Sequence, residues 1–175
     1  MLSDASCGTI EYAISHPTTF ITNNSRNFDW YYTDDSYSED TRWARSDKPK
    51  SIYDPCPIGW RVPDGGENGV WSQSLGTSSS YVGAYDKINK GMDFSGKFGS
   101  DTNIWYPFSG CRGSGDGKLG KTNTSGYCWP CSPCLGTFNY AYNLYISRFG
   151  DVGPAFSSNR AHGYSVRCIQ ELRYF

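Results

Sequence analysis

Residues 54–64 read Asp-Pro-Cys-Pro-Ile-Gly-Trp-Arg-Val-Pro-Asp, the most distinctive stretch of the chain. The prolines on either side of Cys56 restrict the backbone around the cysteine. In residues 60–62, apolar Trp and Val alternate with Arg, which is the pattern of a short, half-buried strand. Asp64 precedes two glycines, where it would form a turn or cap a helix. The stretch therefore predicts a cysteine held rigidly beside a strand.

The composition is typical of a single loop-rich domain. The chain has 175 residues and a formal net charge of −1, so its overall charge provides no attraction to nucleic acid or to an anionic membrane. Its 20 glycines and 9 prolines favour short strands and turns over a helical bundle. No apolar run reaches the roughly 18 residues that a membrane span requires. Any signal segment is expected upstream of Met1.

Short apolar pieces separated by turns continue along the chain. They predict strands at 12–14, 18–22, 60–62, 104–107 and 163–170. Residues 23–47, which carry an acidic run, predict a solvated loop. A helix is expected over residues 70–75, and Asp116-Gly117 is a strong signal for a hairpin turn. These elements together predict an α+β domain in which residues 1–50 contribute strands and a loop.

Four linked motifs resemble one known family. They are Asp-Pro-Cys-Pro-x-Gly-Trp-Arg-Val-Pro at 54–63, Trp-Tyr-Pro-x-Ser-Gly at 105–110, Gly-Tyr-x-Trp at 126–129 and Gly-Tyr-Ser-Val-Arg-Cys at 163–168. Together they resemble the "major paralogous domain" of fimbrillin-type surface proteins of gut bacteria, over about residues 50–170. That resemblance implies a C-type-lectin-like fold, which is shared with formylglycine-generating enzymes and with variable proteins of diversity-generating retroelements.

The resemblance also carries expectations for the framework of the domain. It implies short antiparallel strands with one or two helices and much loop, over residues 1–175 as one domain. A disulfide between Cys56 and Cys168 is expected because each cysteine lies in a family motif. No catalytic residue is implied, since no enzymatic activity is general to the family. The expected framework side chains are those of Trp60, Val62, Trp105, Trp129 and Val166.

Residues 127–168 are similar to the variable region of retroelement-diversified proteins. The family usually has Trp-Ser-Ser after Gly-Tyr, whereas residues 128–134 here read Cys-Trp-Pro-Cys-Ser-Pro-Cys. Randomising the adenines of an Asn codon cannot yield Trp, Met, Gln, Lys or Glu. Residues 130–163 contain none of these five, although they make up about one in seven residues elsewhere. This bias favours a diversified segment over an ordinary loop rich in Gly, Ser and Tyr.

A diversified segment predicts which side chains bind a ligand and which belong to the frame. Random residues are tolerated only off the core, so Ala141 and Leu144 are expected to point inward, with Val152 and Pro154 as framework. Phe, Tyr and Arg are expected to act as anchors, with Asn and Thr as adaptable hydrogen-bonding contacts. The predicted ligand-binding residues are Leu135, Thr137, Phe138, Asn139, Tyr140, Tyr145, Arg148, Phe149, Asp151, Phe156 and His162.

Cys128, Cys131 and Cys134 have the spacing of metal ligands. A zinc or iron–sulfur site needs a fourth ligand, and His16 and His162 have no ligand spacing. Cysteine is also an outcome of the randomised codon, so we expect no metal and no cofactor, with two of the three thiols joined in a local disulfide. An enzyme of the formylglycine-generating type would need a redox-active or copper-binding cysteine pair, and its motifs are not matched here.

These features together predict a binding domain that performs no chemistry. The expected partner is a macromolecular ligand, a protein or a cell-surface molecule, with no nucleic acid and no membrane insertion, and the domain is expected to be a monomer. Seven cysteines favour an extracellular or cell-surface location. The protein would be bacterial or phage-encoded, anchored by a segment absent from this chain. Two alternatives stay open: a fimbrial tip or structural subunit, and a metal or redox protein built on its cysteines.

Overall fold

The computed structural model describes residues 9–22, 42–43, 46–76, 83–98, 103–134 and 140–171, and its fold is mixed α+β. Short strands predominate, as the sequence predicts. The helices in the described residues are α1 (Ile10–Ser15), α2 (Val70–Leu75) and α3 (Ser95–Phe98). The strands are β1 (Trp60–Arg61), β2 (Ala84–Asp86), β3 (Gly91–Asp93), β4 (Trp105–Pro107), β5 (Cys111–Arg112), β6 (Leu119–Gly120), β7 (Ser125–Trp129), β8 (Tyr140–Ser147), β9 (Val152–Asn159), β10 (Ser165–Val166) and β11 (Ile169–Gln170).

The main sheet has the strand order β10-β7-β8-β9. Strands β7, β8 and β9 are antiparallel neighbours, and β10 joins β7 in parallel. Tyr127 lies opposite Tyr145, and Cys128 lies opposite Leu144. A β-bulge interrupts the pairing of β8 with β9 between Asn143 and Tyr145. A three-stranded sheet of order β2-β3-β4, the β5–β6 hairpin and the β1–β11 pair complete the described strands.

The main hydrophobic core lies between one face of the four-stranded sheet, helix α2 and the three-stranded sheet. We call the sheet face that lines this core the inner face. The amphipathic α2 contributes two large apolar side chains, while the sheet contributes residues of alternating position on β7 and β8. Its buried members are Trp71, Leu75, Met92, Phe94, Phe108, Cys128, Leu144, Ile146 and Val152.

A second, smaller core lies where the segment around Cys56 meets the C-terminal strands. Strand β1 pairs with β11, so the segment after residue 54 lies beside the C-terminal strand. Cys56 and Cys168 form the predicted disulfide, with their Cα atoms 5.8 Å apart. Val62 and Cys131 are buried beside Cys56 in this core. The expectation that came from the family motifs is therefore confirmed for this bridge.

The predicted strand at 12–14 is wrong, because residues 10–15 form helix α1. Thr9 caps this helix: its side-chain oxygen accepts a hydrogen bond from the Tyr12 N–H at 3.1 Å. Local capping outweighs the β-propensity of the apolar residues. The strand expected at 18–22 is also absent apart from a single bridge residue at Ile21, and most of the predicted 23–47 loop lies outside the described residues.

Trp60 is not the framework residue that the sequence predicts, since 42% of its surface is exposed. Its neighbour Arg61 takes the inward position in β1, where Nη1 lies 3.7 Å from Glu171 and donates a hydrogen bond to the Lys48 carbonyl. Because successive strand residues point to opposite faces, Trp60 then faces outward. Val62 follows the strand and is buried.

Other local predictions are confirmed. Helix α2 spans the predicted residues 70–75, and β4 lies within 104–107. The β5–β6 hairpin turns at Asp116-Gly117, where Gly117 has a φ of 61°. The closing strand predicted at 163–170 is present as two short strands, β10 and β11, separated by Arg167 and the disulfide-bonded cysteine. Within the described residues, no helix is both long enough and apolar enough to cross a membrane.

Candidate binding surface

The two long strands β8 and β9 sort the predicted variable segment into two faces. Leu144 is buried in the main core, as expected, and Val152 and Pro154 are buried framework residues. The prediction that Ala141 points inward is wrong. Ala141 is half-buried, and strand alternation places it on the face opposite Leu144. The same alternation places Tyr140 on the face opposite Tyr145. The inner face therefore holds the framework, although not every predicted inward residue lies there.

The outer face of the sheet carries a row of aromatic rings, which we call the aromatic strip. Its members are Phe156, Tyr145, Tyr127 and Tyr164. Ring centroids are 5.4 Å apart for Tyr145 and Phe156, 5.3 Å for Tyr127 and Tyr145, and 4.6 Å for Tyr127 and Tyr164. Tyr127 is 4% exposed and its two neighbours in the strip, Tyr145 and Tyr164, are half-buried, whereas Phe156 is 51% exposed. The strip is thus most buried at Tyr127 and most open to solvent at Phe156.

The β8–β9 turn carries a further exposed aromatic side chain. Phe149 is 78% exposed, and the Arg148 guanidinium lies 4.9 Å from the centroid of its ring. The Ser147 side-chain hydroxyl donates to Asp151 at 2.7 Å and accepts from the Phe149 N–H. Gly150 has a φ of 93°, a conformation that favours glycine. The turn is therefore held by its own hydrogen bonds while its largest side chain faces solvent.

Five predicted ligand-binding residues lie on the β8–β9 hairpin, and we call them the hairpin surface: Tyr145, Arg148, Phe149, Asp151 and Phe156. Arg148, Phe149, Asp151 and Phe156 are exposed and Tyr145 is half-buried. Large exposed apolar side chains gathered in this way mark interaction sites more often than isolated ones do. Four further predicted residues, Leu135, Thr137, Phe138 and Asn139, lie outside the described residues.

A second cation lies over the buried part of the strip. The Lys121 ammonium group donates to the Tyr127 hydroxyl at 3.1 Å and lies 5.6 Å from the centroid of that ring. The hydrogen bond to Tyr127 raises the pKa of Lys121, which therefore stays charged at neutral pH. Lysine held against a tyrosine ring makes a cation–π contact. The strip consequently combines apolar area with positive charge.

His162, also predicted to bind ligand, makes contacts inside the protein. Its ring is half-buried and stacks on Tyr164 at a centroid distance of 5.3 Å. Nδ1 accepts a hydrogen bond from the Ser114 N–H at 3.1 Å, and the His162 carbonyl accepts from the Trp129 indole. Burial lowers the pKa of His162, so the ring is neutral at physiological pH. These contacts tie the β5–β6 hairpin to the aromatic strip.

The three-cysteine cluster is split between different environments. Cys128 lies in the main core and Cys131 in the core beside the disulfide, while Cys134 is half-buried. All three thiols are free, so the expected local disulfide is wrong. Burial raises the pKa of Cys128 to about 11, and burial together with the hydrogen bond to Asp64 raises that of Cys131 to about 12. In the described residues, no group of three His, Cys, Asp or Glu side chains could hold a metal ion.

The aromatic strip and the cation over it include three residues that the sequence analysis did not predict to bind a ligand: Tyr127, Tyr164 and Lys121. Tyr127 and Tyr164 each follow a glycine in a motif that we assigned to the family resemblance, and Lys121 lies outside the motifs. The alternation of Tyr127 with Trp129 was a usable signal, because period-2 aromatics on a strand share one face. Nothing in the sequence pointed to Lys121, because its hydrogen-bonding partner Tyr127 follows it by six residues across a turn.

The arrangement offers contact area, positive charge and a rigid turn. Aromatic side chains with few rotatable bonds provide large contact area at low entropy cost, and arginine adds directed hydrogen bonds. The buried thiols of Cys128 and Cys131 are protonated, and His162 is engaged within the protein. Comparisons of the chain with protein-family models, with curated proteins and with solved structures found no significant match.

Proposed function

We propose that this chain is a non-enzymatic, extracellular binding domain that displays a diversified surface on a C-type-lectin-like scaffold. The observation that carries the proposal is the sorting of residues 140–159 by the sheet. Within a window that lacks the five amino acids excluded by the randomised codon, Leu144 and Val152 are buried while Arg148, Phe149 and Phe156 face solvent. A diversified segment requires this separation, because random residues in a core destabilise most variants.

The closure of the chain supports the scaffold in this proposal. Strand β1 pairs with the C-terminal strand β11, and the Cys56–Cys168 bridge reinforces that junction. A rigid frame allows exposed loop residues to change without unfolding the domain. The disulfide also supports an extracellular or cell-surface location, since such bonds persist in oxidising compartments. Anchoring by a segment outside this chain, in a bacterial or phage-encoded protein, remains part of the proposal.

The proposed ligand is a macromolecule, a protein or another cell-surface molecule, bound by a monomer of this domain. Phe149 and Phe156 would enter pockets of the partner as apolar anchors, and Tyr145 would add area beside them. The Arg148 guanidinium would donate to carbonyl or carboxylate groups at the rim. Exposed, partly apolar side chains of this kind match protein partners better than small polar molecules, which bind in concave sites.

Two matched libraries displayed on yeast test the proposal. The surface library randomises Tyr145, Arg148, Phe149, Asp151 and Phe156 with the codon that excludes Trp, Met, Gln, Lys and Glu. The core library applies the same codon to Phe94, Phe108, Leu144, Ile146 and Val152. Folding is scored clone by clone as resistance of the displayed domain to protease. Each library is then selected for binding to purified lysozyme and streptavidin as probe proteins.

We expect most surface-library clones to stay protease-resistant and only a small minority of core-library clones to do so. Loss of one large core side chain costs about 2–5 kcal/mol, a large part of a domain's stability of about 5–15 kcal/mol. The surface library is also expected to yield clones that bind one probe protein and not the other. Equal loss of folding in both libraries, or no binders from the surface library, would contradict the proposal.

A further inference from the structure

A cavity of about 180 Å³ lies on the inner side of the main sheet, and none of the hairpin-surface residues lines it. It is bounded by helix α2, by residues of β4 and the segment before it, and by residues 167–169. Its walls are predominantly apolar and include Trp71, Leu75, Phe94 and Ile104. Apolar cavities of about 150 Å³ are large enough to bind benzene-sized molecules. The cavity therefore has the size and the lining of a small-molecule site.

Two polar side chains of the cavity wall, those of Arg167 and Tyr106, lie against each other. Arg167 lies in the wall, donates from Nη1 to the Trp105 carbonyl at 2.7 Å, and holds its guanidinium 4.3 Å from the centroid of the Tyr106 ring. The Tyr106 hydroxyl accepts a hydrogen bond from the Trp71 indole at 2.9 Å, which leaves its own proton available for donation. Burial raises the pKa of Tyr106, so the hydroxyl stays protonated.

The charges around the cavity have one sign. Arg167 is the charged residue in the described lining, which contains no carboxylate. Outside the lining, the Lys97 ammonium group donates to the carbonyl of the lining residue Leu75 at 2.9 Å. A guanidinium fixed by stacking and by one hydrogen bond still has N–H groups that match a carboxylate in geometry. A few placed polar groups in an apolar pocket are what specific ligand sites use.

We propose that this cavity binds a small monocarboxylate with an apolar body. The carboxylate accepts hydrogen bonds from Arg167 and from the Tyr106 hydroxyl, and an aromatic or branched aliphatic body packs among Trp71, Leu75 and Phe94. The site lies on the inner side of the sheet and uses none of the hairpin-surface residues. Its occupancy is therefore independent of the proposed macromolecular ligand, and either proposal can fail without the other.

Calorimetric titration of the disulfide-intact chain with two probes tests this proposal. The probes are 3-phenylpropanoate and its neutral analogue 3-phenylpropanamide, which have the same apolar body and differ in charge. We expect saturable binding of the acid, at least tenfold tighter than binding of the amide, because charge-assisted hydrogen bonds are the stronger ones. Absence of saturable acid binding, or equal affinity for the two probes, would overturn the proposal.

Three variants locate the site. Arg167→Gln is expected to weaken binding of the acid at least tenfold, to the level of the amide, while binding of the amide is unchanged. Arg148→Gln, which removes an arginine of the hairpin surface, serves as the matched control and leaves both affinities unchanged. Ser74→Leu places a larger side chain in the cavity from helix α2 and should weaken the binding of both probes. Near-ultraviolet circular dichroism confirms that each variant is folded.

If Arg167→Gln does not fold, the comparison of acid with amide on the unchanged chain and the Ser74→Leu result still decide the matter. Unchanged binding of the acid to folded Ser74→Leu would place the ligand outside the cavity and overturn the proposal. Loss of acid binding in Arg148→Gln would do the same, because Arg148 lies in the β8–β9 turn and does not line the cavity.

Discussion

The Asp54 carboxylate shows how one residue organises the stretch that begins the fold. It is buried, and its oxygens accept hydrogen bonds from the Cys56 N–H at 2.8 Å and from the Val62 N–H at 3.0 Å. Lys50 forms an ion pair with the same carboxylate. Burial opposes ionisation of Asp54, but these hydrogen bonds outweigh it and lower the pKa of the group. The carboxylate thus holds the disulfide-bonded cysteine at a set distance from strand β1.

Asp54→Asn is predicted to lower the free energy of unfolding by about 2 kcal/mol at pH 7, because the amide cannot accept both backbone hydrogen bonds and introduces donors beside them. The matched control, Asp116→Asn, changes an exposed turn carboxylate and should shift stability by less than about 0.5 kcal/mol. Urea denaturation measures both. A carboxylate with a lowered pKa stabilises the fold above its unfolded-state pKa, so the difference between Asp54→Asn and the unchanged chain should shrink as the pH falls below about 4.

At the scale of elements, the close contact of β7 with the residues of β4 requires glycine at position 126. A Cβ on Gly126 would lie 2.3 Å from the Pro107 carbonyl oxygen and 3.0 Å from the Ile146 side chain. The glycine of the Gly-Tyr-x-Trp motif therefore permits β7 to pass beneath β4. No such contact exists at Gly120 in β6, where an added Cβ would meet nothing within 4 Å.

Gly126→Ala is predicted to destabilise the domain by at least about 1–3 kcal/mol, the usual cost of overpacking a core. Gly120→Ala should be neutral or slightly stabilising, since it reduces the entropy of the unfolded chain without a clash. The comparison is made from the urea midpoints of the two variants. Equal stability of the two alanine variants would show that β4 and β7 do not approach as closely as described.

The disulfide joins elements that are distant in sequence, because Cys56 and Cys168 are separated by 112 residues. Constraining a loop of that length in the unfolded chain stabilises the folded state by roughly 4–5 kcal/mol in the chain-entropy model. The double variant Cys56→Ala/Cys168→Ala is predicted to lose about that amount in urea denaturation. Cys134→Ala is the matched control. A similar loss of unfolding free energy in that variant would mean that the disulfide is not the source of the stabilisation.

At the scale of the whole molecule, buried thiols make the fold sensitive to alkali. Burial raises the pKa of Cys128 to about 11 and that of Cys131 to about 12, from an ordinary value of 9.0. The unfolded chain therefore releases these protons at a lower pH than the folded chain does. The two protonated thiols make their full contribution to the free energy of unfolding below about pH 9. This contribution is lost as the pH rises through the pKa values that the thiols have in the folded chain.

We therefore predict that the free energy of unfolding falls between pH 9 and pH 11, and that Cys128→Ala/Cys131→Ala flattens this dependence. The double variant should be less stable at neutral pH, so the slope with pH is the quantity compared. Cys134→Ala should retain the slope of the unchanged chain. Identical slopes in all three proteins would indicate that Cys128 and Cys131 ionise as readily when folded as when unfolded.

Signals that depend on neighbours in sequence predicted their structures well. Helix α2, strand β4 and the Asp116-Gly117 turn lie where periodicity and turn chemistry place them. The family motifs led to the Cys56–Cys168 bridge, which residue spacing alone would not identify. Helix α1 was missed because Thr9, its cap, lies outside the apolar run that was assigned to a strand. Local information thus sufficed wherever the deciding contact was itself local.

The binding surface was decided by strand register, which only the tertiary structure provides. Alternation along β9 alone would place Phe156 on the same face as Val152 and Pro154, inside the core. The bulge opposite Asn143 and Tyr145 adds one residue to β9, so Phe156 moves to the outer face beside Tyr145. In the same way, Cys128 and Cys131 are close in sequence, but Cys128 in β7 faces the main core and Cys131, beyond the end of β7, lies in the second core. The sequence determined which side chains were available for a binding surface and for a core. Pairing between strands decided which of them meet, because it depends on contacts between residues far apart in the chain.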